Sequence, residues 1–145
     1  MTQIKINLEG LNGLLSQLQQ LGAAGDEIIE ETIFDVATET HALAVAGIMG
    51  SPKSGRTYKK TNPNRTHTAS APGQYPATDT GRLASSVKMV MQGPMAYVVG
   101  TNVAYGPMLE FGTAKMAARP WLLPSFERAK VGIEKELRMR LEAKI

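Results

Sequence analysis

The sequence predicts an α+β fold, and three observations carry that expectation. Two stretches, one near the N-terminus and one past the middle, alternate polar and apolar residues as half-buried strands do. Leucine and isoleucine recur at helical spacing after the first strand, and another helical stripe fills the C-terminal end. Between these parts lies a segment rich in proline, serine and threonine, without periodicity. The architecture expected is a small, mostly antiparallel sheet packed by two N-terminal helices and a C-terminal helix, with a long flexible basic loop.

Gln3 to Leu8 (QIKINL) reads as the first strand. Leu11, Leu14, Leu15, Leu18 and Leu21 mark a first helix, ended by Gly22 and Gly25. A longer helix runs from Asp26 to Met49, with Ile29, Ile33, Val36 and Leu43 as its apolar stripe and Thr40 on the same face. Gly50 to Thr78 holds Pro52, Pro63, Pro72 and Pro76. A connection of this length without structure is usually functional or disordered, so residues 50–78 are expected to be mobile. Thr78, Asp79 or Thr80 is expected to cap a short helical turn ending near Ser85. Val87 to Met91 and Ala96 to Thr101 form a hairpin, turned at Gln92-Gly93-Pro94. Tyr105 to Phe111 makes a short helix or tight turn closed by Gly112. Pro124 suits the first turn of one last helix, whose stripe is Phe126, Ala129, Ile133, Leu137 and Leu141.

A chain of 145 residues fits a single domain spanning 1–145. Aromatics are only 6%, so the core must rest on aliphatic side chains. The absence of cysteine excludes disulfides, thiolate metal ligands and cysteine nucleophiles together. The longest apolar stretch, Ala42 to Met49, is far short of the ~20 residues that span a bilayer. The opening MTQIKINLEG has no basic segment followed by an apolar one, so a soluble protein made without export is expected.

Catalytic patterns are missing. His41 and His67 belong to no ligand-spaced motif, and no HExxH occurs. Ser85 and Ser86 do not sit in a GxSxG elbow. Asp79 and Glu110 are the only acids between residues 40 and 126, and capping or ion pairing is their more ordinary duty. The glycines form neither GxGxxG nor GxxxxGK[ST]. A protein that is not an enzyme, with no metal and no cofactor, is expected.

Charge divides along the chain. Residues 1–39 carry one base, Lys5, against seven acids, whereas residues 40–126 carry nine bases against two acids. Glu27, Glu31, Asp35 and Glu39 recur every four residues on the second helix and form an acidic face. That face is either simply solvated or a docking site for something basic. The basic counterpart is Lys53, Arg56, Lys59, Lys60 and Arg65, accompanied by Tyr58. Phosphates attract such a segment, so a nucleic-acid-binding protein is the alternative reading.

Two stretches, SAPGQYPATDTGRLASSV (Ser70 to Val87) and VVGTNVAYGPMLEFGTAKMAARPWLLPSFE (Val98 to Glu127), carry a recognisable pattern. A PG-x-x-P segment precedes TG-x-L-x-x-S; a tyrosine, an EFGT tetrapeptide, an Arg-Pro and a final helix follow. In this order and spacing the motifs resemble the head–tail joining, or tail-completion, family of long-tailed bacteriophages and prophages. The resemblance covers the C-terminal half, while the N-terminal helices agree only in placement. Gly106 stands where an alanine usually follows the tyrosine, and Gln74 where an acid is common.

The resemblance implies a structural subunit of the virion neck, made in the host cytoplasm. It would assemble with copies of itself into a six-fold ring, between head-connector proteins and the tail tube or its terminator, without a membrane. Tyr105, Glu110, Phe111, Gly112, Arg119 and Trp121 are then the candidate assembly residues. Gly112 tolerates a positive φ, so EFGT can turn sharply and present Phe111. Glu110 and Arg119 are expected to brace that turn as an ion pair. Trp121 and Leu122 serve as anchors in the core or against a neighbour, with the core favoured for Trp121. Met89, Met91, Met95, Met108 and Met116 are either core filler or an adaptable contact surface. Unlike faces suit a ring, so the basic loop is expected to meet the acidic helix face of a neighbour, with contact to passing DNA as its rival.

Overall fold

The alternation at the N-terminus produces β1 (Thr2–Ile6), and the leucine repeat produces α1 (Asn12–Gln20). The isoleucine stripe continues into α2 (Ala23–Met49), a helix about 40 Å long at 1.5 Å rise per residue. Next come β2 (Thr57–Thr61), β3 (Asn64–Thr68), α3 (Arg82–Ser86), β4 (Lys88–Gly93) and β5 (Ala96–Thr101). Three short helices complete the chain: α4 (Gly106–Phe111), α5 (Leu123–Ala129) and α6 (Ile133–Glu142). This computed structural model describes residues 2–6, 12–61 and 64–144. Leu8, Leu11 and Pro63 lie outside the described residues.

The fold is α+β as the sequence predicts, with a three-stranded antiparallel sheet in the order β1-β5-β4. Ile4 and Met89 both pair with Val99, so β5 is the central strand. The face carrying Ile6 and Val99 is buried against α2. There Phe34 meets Tyr97 edge to face at 5.7 Å, and the Thr38 hydroxyl reaches Met89 Sδ at 3.7 Å.

α2 packs against α1, α3, α5 and α6 as well as the sheet. Ile29, Ile33, Val36 and Thr40 are buried as the stripe predicts, joined by Ile28, Ala37, Ala44 and Ile48. The two buried threonines, Thr32 and Thr40, donate to the carbonyls four residues back at 2.8 and 2.7 Å. Their hydroxyls therefore cost the core no unmet hydrogen bond.

Three expectations are corrected. The segment 50–78 is not structureless, because β2 and β3 form a two-stranded antiparallel hairpin within it. Its base is extended by Gly55 N–H donating to the Ala69 carbonyl at 2.8 Å and Ala69 N–H donating to the Arg56 carbonyl at 3.0 Å. The last helix is two helices, since Gly132 adopts φ 81° between α5 and α6. That left-handed conformation is open to glycine and strained for other residues. Finally, the N-cap of α3 is Gly81 rather than Thr78, Asp79 or Thr80, although the Thr80 hydroxyl accepts the Arg82 N–H at 3.4 Å. Asp79 is committed elsewhere.

Candidate functional site

The two stretches that carry the family resemblance fold into one unit. Gly73 N–H donates to the Ala118 carbonyl at 3.0 Å, and Arg119 Nε donates to the Ser70 carbonyl at 3.0 Å. Tyr75 and Ser125 share a hydroxyl–hydroxyl bond of 2.8 Å, and Ser86 and Thr101 share one of 2.6 Å. Motifs separated by more than ten residues in the chain are thus joined side by side.

At the centre of this unit sits Glu110, only 7% exposed. Its Oε2 accepts the backbone N–H groups of Trp121 at 2.8 Å and Leu122 at 2.9 Å, while Oε1 accepts that of Leu123 at 2.9 Å. These donors lead into α5, whose first turn has no intrahelical partners for its N–H groups. The carboxylate satisfies them, and its negative charge lies at the positive end of the helix dipole. The expected ion pair with Arg119 is not formed. Arg119 instead donates to the Ser70 and Ala117 carbonyls, the latter at 3.4 Å from Nη1. Both charged groups are used to tie backbone together.

That bracing fixes the EFGT turn. Gly112 adopts φ 76°, and a Cβ there would lie 2.9 Å from the Ala118 nitrogen and the Met116 oxygen. Glycine is required on both counts, conformational and steric. Thr113 and Met116 close the turn with a small bridge. Phe111 projects from it 77% exposed, and Met108, one helical turn earlier, is 51% exposed. Trp121 is fully buried and belongs to the core, with its indole N–H on the Gly106 carbonyl at 3.2 Å.

The other face of α4 borders an open cleft of about 640 Å³. Tyr105 and Leu109 line it from the N-cap and body of α4, Ile48 and Leu83 from α2 and α3, and Lys59, Lys60 and Arg65 from the hairpin. Arg119 also reaches it, whereas Phe111, Lys53 and Arg56 do not. Asp79 holds the hairpin at the cleft. It forms ion pairs with Arg65 and, at 2.6 Å, with Lys60, and His67 Nδ1 lies 3.7 Å away. The Arg65 guanidinium first, and Lys60 next, hold its carboxyl at about 2, well below its ordinary value. Partial burial pushes His67 below its ordinary value, with Asp79 pulling the opposite way.

Charge is also matched within the acidic face. Arg140 of α6 pairs with Asp35, with Glu31 at 3.9 Å and with Glu136 at 3.0 Å. Thus the basic group docked on Glu31 and Asp35 comes from the same chain. Glu27 carries no ion pair among the described residues. Lys53, Arg56 and Lys59 likewise form none, although Arg56 lies 5.3 Å from the Tyr58 ring centre. Neither a metal-holding group of His, Asp and Glu nor a helix long and apolar enough to cross a membrane occurs among the described residues.

Comparison of the chain with protein-family models, with curated proteins and with solved structures finds no match.

Proposed function

We propose that this chain is a structural subunit of a tailed bacteriophage or prophage, closing into a ring at the virion neck between head connector and tail. The observation that carries the proposal is Phe111: a large aromatic side chain, 77% exposed, on a turn braced by a buried carboxylate and a required glycine. Exposed apolar groups that cluster, here Phe111 with Met108, mark contact surfaces. Rigid aromatic anchors contribute most of the binding energy at such surfaces. The ordered PG-x-x-P, TG-x-L-x-x-S and EFGT motifs support the same reading through the resemblance they carry. The role is structural rather than catalytic, with copies of the chain and neighbouring neck proteins as partners and no cofactor.

Sedimentation of the purified protein across concentration tests this. The wild type shifts from monomer to a closed oligomer as concentration rises, whereas Phe111→Ser stays monomeric with an unchanged circular dichroism spectrum. A wild type that remains monomeric at every concentration contradicts the proposal.

Exposed Arg56, Tyr58 and Lys59 on the hairpin favour a second reading, contact with DNA passing through the ring. Binding of that kind weakens steeply with salt, because counterions released from phosphates drive it.

A further inference from the structure

We infer that the cleft between α4 and the β2–β3 hairpin receives Phe111 of a second copy of the chain. This rests on the proposal that copies associate, and it names the surface that Phe111 enters.

α4 presents two unlike sides. Successive residues advance 100° around a helix, so Tyr105 and Leu109 fall together on the side that lines the cleft. Met108 and Phe111 fall together on an adjoining side, about 110° round the helix, and both are exposed. A subunit therefore carries an apolar knob and an apolar-floored cleft on two different sides of one short helix. The knob cannot fold into its own cleft, because the turn that carries it is fixed by Glu110 and Gly112. A knob on one face and a receptor on another describe a heterologous contact, which repeats head to tail and closes as a ring when the rotation permits.

The cleft suits an aromatic occupant. Ile48, Leu83, Leu109 and Met116 line it with apolar surface, and Met116 offers an adaptable thioether. Of the bases that line it, Lys60 and Arg65 share Asp79 and Arg119 is held by the Ser70 and Ala117 carbonyls, while Lys59 and Arg82 also line it. The volume of about 640 Å³ leaves room for a phenyl ring with adjoining backbone.

The absence of native cysteine makes the contact directly testable by disulfide trapping. Thr113→Cys sits beside the knob, and Lys59→Cys and Thr80→Cys sit on the two sides of the cleft mouth. Concentrated Thr113→Cys protein is mixed with either rim variant under mild oxidation, and sedimentation of the same samples reports association. The inference expects mixed disulfides with at least one rim variant, exceeding those within any single variant. Adding Phe111→Ser to the Thr113→Cys protein removes them. Ala77→Trp, which fills the cleft while leaving the knob intact, weakens association on the order of thirtyfold, the loss typical of an interface hot spot. Associated protein that traps only Thr113–Thr113 pairs, or no pair with either rim, overturns the inference and leaves the ring proposal standing. Protein that never associates overturns both.

Discussion

A buried carboxylate with no cationic partner is costly unless hydrogen bonds replace its hydration, and Glu110 meets that condition with three backbone N–H donors. Glu110→Gln keeps the shape but puts an amide NH₂ where one oxygen stood, so at least one donor faces another donor. The expected loss is about 2–3 kcal/mol, the size of a hydrogen bond to a charged group. Urea unfolding measures it as a lower midpoint at constant slope; an unchanged midpoint contradicts the bracing role. The turn itself was legible, because EFGT contains the one residue type that tolerates the φ of Gly112. Glu110's partners were not, because backbone N–H groups leave no mark in a sequence. Complementary charge pointed to Arg119, which the structure commits to carbonyls instead. Trp121 was legible as core through its place between Pro120 and Leu122, and Asp79 as an ion-pairing residue.

At the scale of elements, the β2–β3 hairpin escaped notice because its side chains lie mostly toward solvent on both faces. Without a buried face there is no alternation of polarity to read. The C-terminal break was hidden for the opposite reason: Ala129, Leu137 and Leu141 all reach the same core, so their stripe runs on through Gly132. The hairpin's attachment gives a pH-dependent prediction. Asp79 titrates at about 2 in the folded chain against an ordinary 3.8. A depressed carboxylate pKa adds stability above the unfolded value and loses it as pH falls through the folded one. The Asp79 contribution is therefore complete above pH 4 and disappears toward pH 2. Asp79→Asn should lower stability at neutral pH and flatten the loss between pH 4 and 2. Parallel acid-unfolding curves for the two proteins contradict the attachment. The α2 stripe and the β4–β5 hairpin, each half buried, were read directly.

On the scale of the whole molecule, the uneven distribution of charge is partly consumed inside the chain. Arg140 answers Glu31 and Asp35, and Asp79 answers Lys60 and Arg65. Among the described residues, Glu27 and Glu39 of the acidic face and Lys53, Arg56 and Lys59 of the basic segment carry no ion pair. Charge at this level guides encounter and register more than it supplies affinity, so under the proposed assembly cohesion comes from Phe111 and the cleft. An isologous contact would stop at a dimer, whereas a contact between a knob and a cleft on different sides of α4 would continue to a ring or a filament. Native mass spectrometry of the concentrated protein distinguishes these outcomes most directly. A single closed stoichiometry, six copies by the family resemblance, is the result expected. A dimer that grows no further, or a monomer alone, would contradict ring assembly.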